Sequence, residues 1–171
     1  MKTIMNYYLL IFFGLSLCWS CQSESSAPSA TTSKTILTQN SKAINVSLNM
    51  TQVSYAIGSP ITLRFVLKNN ENKDVSFCPF NSPAHQAAWT NCFRIKDAQG
   101  NLIPFVGKTA TYSDETNNKQ LITIEPQGIR IYTIDIRTIY QLDQRGTYTI
   151  RFIGDAINLL SNSLPAQFSI K

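Results

Sequence analysis

Beyond residue 43 the chain alternates apolar and polar positions with a period of two. Residues 44–50 (INVSLNM) set Ile44, Val46, Leu48 and Met50 against Asn45, Ser47 and Asn49. That is the pattern of a strand with one face in a core and one in water. Residues 61–70 repeat it, with Ile61, Leu63, Phe65 and Leu67 pointing inward. Shorter strands are predicted over 74–78, 92–97, 121–124 and 163–170. Residues 102–105 carry Pro104, which confines that segment to an edge or ends its pairing. Between them lie polar turns: 55–60 with Gly58 and Pro60, 69–73 (NNENK), and 97–101 with Gly100. Only residues 155–162 have room for a helical turn.

The stretch that organises the rest is 128–152 (GIRIYTIDIRTIYQLDQRGTYTIRF). It reads as strand, corner, strand. Ile129, Ile131, Ile134 and Ile136 are the apolar positions of the first half, and residues 147–152 form an alternating second half. The spacing Leu142, Gly146, Tyr148 resembles the tyrosine corner of immunoglobulin-type domains, which implies that Tyr148 bonds back to upstream backbone. Turn signals about every ten residues and no long amphipathic helix predict an all-β fold: an Ig-like antiparallel β-sandwich of about 7–9 strands.

The first forty residues differ in kind. Residues 7–17 (YYLLIFFGLSL) are an apolar run of secretory-signal length, too short to span a bilayer. The run ends at Cys18-Trp19-Ser20-Cys21, which resembles the bacterial lipobox, in the looser form of Bacteroidetes-type lipoproteins. Leu17 lies one place early and Trp19 is bulky for that motif. The resemblance implies cleavage before Cys21 and lipidation of Cys21, so that residues 1–20 are a lipoprotein signal peptide. An ordinary secretory signal cut near Ser20, or an uncleaved anchor, is the alternative. Residues 22–34 (QSESSAPSATTSK) are rich in Ser, Thr, Ala and Pro with almost no apolar bulk, the composition of a flexible tether. The expected organisation is thus signal peptide 1–20, lipidated cysteine and linker 21–43, sandwich 44–171. Gln22 after the cysteine resembles the outer-membrane sorting pattern, placing the protein in the cell envelope as an outer-membrane lipoprotein.

Charge narrows the partners. The net charge is +5, and Lys2 would leave with the signal. The basic residues are scattered singly along the chain, without the cluster expected of a nucleic-acid binder. Of the four cysteines, Cys78 and Cys92 lie in the predicted sandwich. In an oxidising compartment two cysteines alone are expected to pair, and closing so short a loop is worth about 3 kcal/mol in the chain-entropy picture. The alternative is a metal site on Cys78, His85 and Cys92. It lacks a fourth ligand, because His85 is the single histidine; no metal or cofactor is expected.

Residues 93–108 (FRIKDAQGNLIPFVGK), 121–128 (LITIEPQG), 140–143 (YQLD) and 146–149 (GTYT) resemble the β-sandwich accessory domain that precedes the catalytic domain of deuterolysin-type peptidyl-Lys metalloendopeptidases. The likeness runs from about Asn45 to Phe152 and implies fold, not chemistry. Those enzymes carry a zinc-binding His-Glu-x-x-His helix, and this chain has one histidine.

No catalytic motif is visible. Adjacent Asp114 and Glu115 diverge on an extended backbone and make a poor acid–base pair. The function expected is therefore a non-catalytic binding or adaptor module, held to the membrane by its lipid and serving an envelope protein. The alternatives are a peptidase inhibitor or propeptide-like regulator, and an enzyme. The candidate binding loop is 79–91, with Phe80, His85 and Trp89; the competing reading is that Phe80 and Trp89 cover one end of the sandwich. Residues 109–120 are the second candidate loop.

Overall fold

A computed structural model describes residues 43–85, 91–109 and 121–171, all within a compact unit running Leu37–Lys171. The Cys21 and Trp89 expectations lie outside the described residues, as does most of the second candidate loop. The described residues form nine strands: β1 (Ile44–Met50), β2 (Ser54–Tyr55), β3 (Thr62–Asn69), β4 (Val75–Phe77), β5 (Phe93–Lys96), β6 (Ile122–Ile124), β7 (Ile129–Asp135), β8 (Gly146–Phe152) and β9 (Ala166–Ile170). A single 3-10 turn, Ile136–Thr138, follows β7. Among the described residues no helix is long and apolar enough to cross a membrane.

The strands make two main sheets, ordered β1-β3-β7 and β2-β9-β8-β5, with β4 and β6 as a separate pair. All pairings are antiparallel except β2–β9, where Ser54 and Tyr55 run parallel to Ser169 and Ile170. The two sheets pack face to face through their aromatic residues. Phe65 of β3 meets Phe152 of β8 at 4.8 Å between ring centroids and Phe93 of β5 at 6.4 Å. Leu63, Phe65, Leu67, Ile150 and Phe152 are wholly buried, each on the inward parity of its strand. This is an all-β, Ig-like sandwich.

Two local expectations change. Ile129 and Ile131 are 54% and 55% exposed. They share a parity opposite to that of Ile134, and register sets Arg130, Tyr132 and Ile134 against the inward Leu67, Phe65 and Leu63. The segment predicted as a turn from Tyr55 begins instead with β2, whose Tyr55 is 3% exposed and packs edge-on to Phe168. Residues 156–158 form a turn and no helix.

The pair β4–β6 is fastened to the first sheet by Asn69, at the end of β3. Its buried amide nitrogen lies 2.8, 2.9 and 2.9 Å from the carbonyl oxygens of Lys73, Ile124 and Glu125. Its Oδ1 accepts from the Glu71 N–H at 2.8 Å. At the opposite corner Tyr148 donates to the Gln144 carbonyl at 2.7 Å and stacks on Phe168 at 5.4 Å.

Candidate functional site

Residues 78–85 leave β4, and Asn91 and Cys92 lead into β5, so one end of the sandwich gathers most of the candidate residues. Phe80 is 4% exposed. It meets His85 edge-on at 5.8 Å. Phe80 therefore closes the end of the core rather than standing out as an anchor, and His85, half-buried, lies against it. The turn is tied internally: Ser82 donates from Oγ to the Pro79 carbonyl at 2.6 Å and accepts from the Ala84 N–H at 3.2 Å.

A polar clamp joins this turn to residues 155–160. Asn81 adopts a left-handed backbone, φ 53°, which asparagine tolerates better than most residues. Its side-chain amide donates to Asp155 Oδ2 at 2.7 Å. Asp155 Oδ1 in turn accepts from the N–H groups of Ile157 and Asn158, both at 2.8 Å. Wholly buried Asn158 completes the clamp, donating to the Asn81 carbonyl at 3.2 Å and accepting from the Leu160 N–H at 2.9 Å. These residues were missed in the sequence. The signal was present as an Asp-x-x-Asn spacing, which favours side-chain capping of a turn.

No bond joins Cys78 and Cys92: both are buried free thiols, contrary to the disulfide expected from compartment and count. Burial raises the Cys78 thiol, with the Phe80 N–H working against it and Asp155 adding to it. Burial and then Asp155 push the Cys92 thiol up to about 12. Both are held protonated, and the thiolate is the form that attacks or binds metal. Among the described residues no three His, Cys, Asp or Glu side chains are grouped so as to hold a metal ion.

Tyr140 anchors the entry to β5. Its hydroxyl donates to the Phe93 carbonyl at 2.8 Å and accepts from the Phe93 N–H at 3.0 Å. Burial and then the neighbouring Cys92 raise its ionisation above the usual tyrosine range. The described residues at this end of the sandwich are thus packed and hydrogen-bonded together.

No family model matches the chain, and no curated protein matches it. Among solved structures it is similar to the Pseudomonas fluorescens alkylpurine DNA glycosylase AlkC bound to DNA containing an abasic site analogue, at 12% identity and a TM-score of 0.41. That match covers 75% of this chain and spans 30% of the glycosylase chain. It is also similar to the CARDB domain of the PF1109 protein from Pyrococcus furiosus in complex with di-metal ions, at 12% identity and a TM-score of 0.38, covering 75% of this chain and 87% of that one.

Proposed function

We propose that the protein is an exported lipoprotein of the cell envelope whose β-sandwich serves as a binding or adaptor module. The observation that carries the reading is the order of segments. An apolar run at 7–17 ends at Ser20-Cys21, a stretch of Ser, Thr, Ala and Pro follows, and only then does a hydrophobic core begin, at Ala43 and Ile44. Acyl chains on Cys21 would hold the chain at a bilayer, and the polar stretch would let the sandwich stand away from it.

The test is mass spectrometry of the full chain expressed in a bacterium with lipoprotein processing. The expected result is a mature chain that begins at Cys21 with an acyl adduct, absent from Cys21→Ser. A mature chain with an unmodified Cys21, or one beginning elsewhere, refutes the reading.

A further inference from the structure

The outward face of the β2-β9-β8-β5 sheet carries cations that the linear order keeps apart. Arg94 and Lys96 are the exposed positions of β5, and Arg151 is exposed on β8. Register places Arg94 directly opposite Arg151, and Lys96 opposite Thr149. Directly opposed like charges destabilise an antiparallel pair. Along β5 the two cations are about 7 Å apart, twice the rise per residue of a strand. Arg151 Nε donates to the Ser163 carbonyl at 3.0 Å, which fixes one guanidinium over the sheet. With Ile153 and Pro165 these four side chains line a shallow depression of about 240 Å³.

Among the described residues of β5, β8 and β9 no acid stands on this face. The other outward positions of β8 and β9 are Thr147, Gln167 and Ser169. Among the described residues the ion pair is Arg137–Asp143, which leaves Arg94, Lys96 and Arg151 without a carboxylate partner there. Exposed aliphatic residues flank the cations. Leu164, 84% exposed, precedes Pro165, and Leu102, 61% exposed, bridges to Lys96.

We propose that this face docks on an anionic lipid surface, the three cations meeting headgroup phosphates and Leu164 and Leu102 entering the interfacial region. A flat cationic face with aliphatic flanks suits a bilayer, because each basic group near an anionic surface adds attraction and the apolar flanks gain burial. The inference rests on the lipoprotein reading only for the nearness of a membrane.

The test uses the full chain with Cys21→Ser, so that no acyl chain contributes. It is sedimented with phosphatidylcholine vesicles, with and without phosphatidylglycerol, at low and high salt. Lys2, Lys34 and Lys42 also favour anionic vesicles, so the face is read by variants that leave residues 1–43 unchanged. Tighter binding to the anionic vesicles, lost at high salt, is expected. Arg94→Ser with Arg151→Ser should weaken it about 25-fold, at about fivefold per charge. Thr149→Lys adds a charge to the same face and should strengthen binding to the anionic vesicles about fivefold without raising binding to phosphatidylcholine alone, whereas a misfolded chain with exposed core would gain on both. Arg64→Ser, on the outward face of the other sheet, should change it little. Equal binding to both compositions, or no response to either change at 94/151 and 149, overturns the proposal. So does retention on double-stranded DNA with no preference for anionic vesicles, which would assign the face to nucleic acid. Acylation of Cys21 is read separately by mass spectrometry, so either reading can fail without the other.

Discussion

Asn69 offers a direct measure of what holds the smaller β4–β6 pair to the rest. Its side chain is wholly buried and engages four backbone groups at 2.8–2.9 Å. The amide has two hydrogens for three carbonyls, so at least one is shared. Replacing Asn69 with Ala removes its bonds to all four groups, although the Glu125 carbonyl keeps the Gly128 N–H. The Ile124 carbonyl contact is the fully buried one, and an unsatisfied buried group costs about 1–3 kcal/mol. The other three are part-buried; water can reach them, and each loses about 0.5 kcal/mol, the low end for a hydrogen bond. The expected loss is about 2.5–4.5 kcal/mol, a large share of a stability of about 5–15 kcal/mol. Urea unfolding of the full chain, followed by far-UV circular dichroism, measures it. Asn69→Asp adds a pH signature. An ionised carboxylate would face three carbonyl oxygens with no proton to give, so the folded state favours the protonated acid and its pKa is raised. Both states are protonated in strong acid. As the pH rises through about 4, the unfolded chain ionises first and stability falls. A loss below 1 kcal/mol for the Ala variant, or an Asp variant whose deficit does not grow with pH, would show that Asn69 is not the fastening.

Two further perturbations test the packing at the Cys78–Cys92 end. A Cβ on Gly154 would overlap the backbone carbonyl oxygen of Leu160, so Gly154→Ala should cost about 3 kcal/mol or more, read by thermal unfolding; an unchanged midpoint would contradict the close approach. Unfolded, the Cys92 thiol ionises near its ordinary 9.0, whereas folded it stays protonated to about 12. The unfolded chain therefore loses the proton first, and stability should fall by up to about 1.4 kcal/mol per pH unit across that window. Cys92→Ala should flatten this slope in alkaline urea titrations, leaving the parts due to Cys78 and Tyr140; an identical slope in the variant would refute the burial argument.

The alternation in residues 44–50 and 61–70 was enough to place β1 and β3 and their inward faces, because one side of each strand is dry. The corner at Tyr148 was legible for the same reason: its spacing is local, and its hydroxyl bonds four residues back. What depended on pairing was not legible. Ile129, Ile131, Ile134 and Ile136 read alike as the apolar positions of a strand, yet the register of β7 against β3 turns the first two outward. Phe80 read as a possible anchor, and its burial is decided by the clamp from Asp155, some seventy positions downstream. The cationic face was hidden for a similar reason. Arg94 and Arg151 look like isolated charges until β5 and β8 are laid side by side.

The parallel union of β2 with β9 has a consequence for how the molecule comes into being. Tyr55 receives its neighbour Ile170 only after all the residues between them have been delivered, and the bonds from Lys171 N–H to Tyr55 and from Ile57 N–H to Lys171 wait on the same strand. A chain threaded through a narrow pore from its N-terminus would stay ajar, its aromatic interior open to helpers, until β9 emerged. A chain cut before β9 would then be a door without a latch.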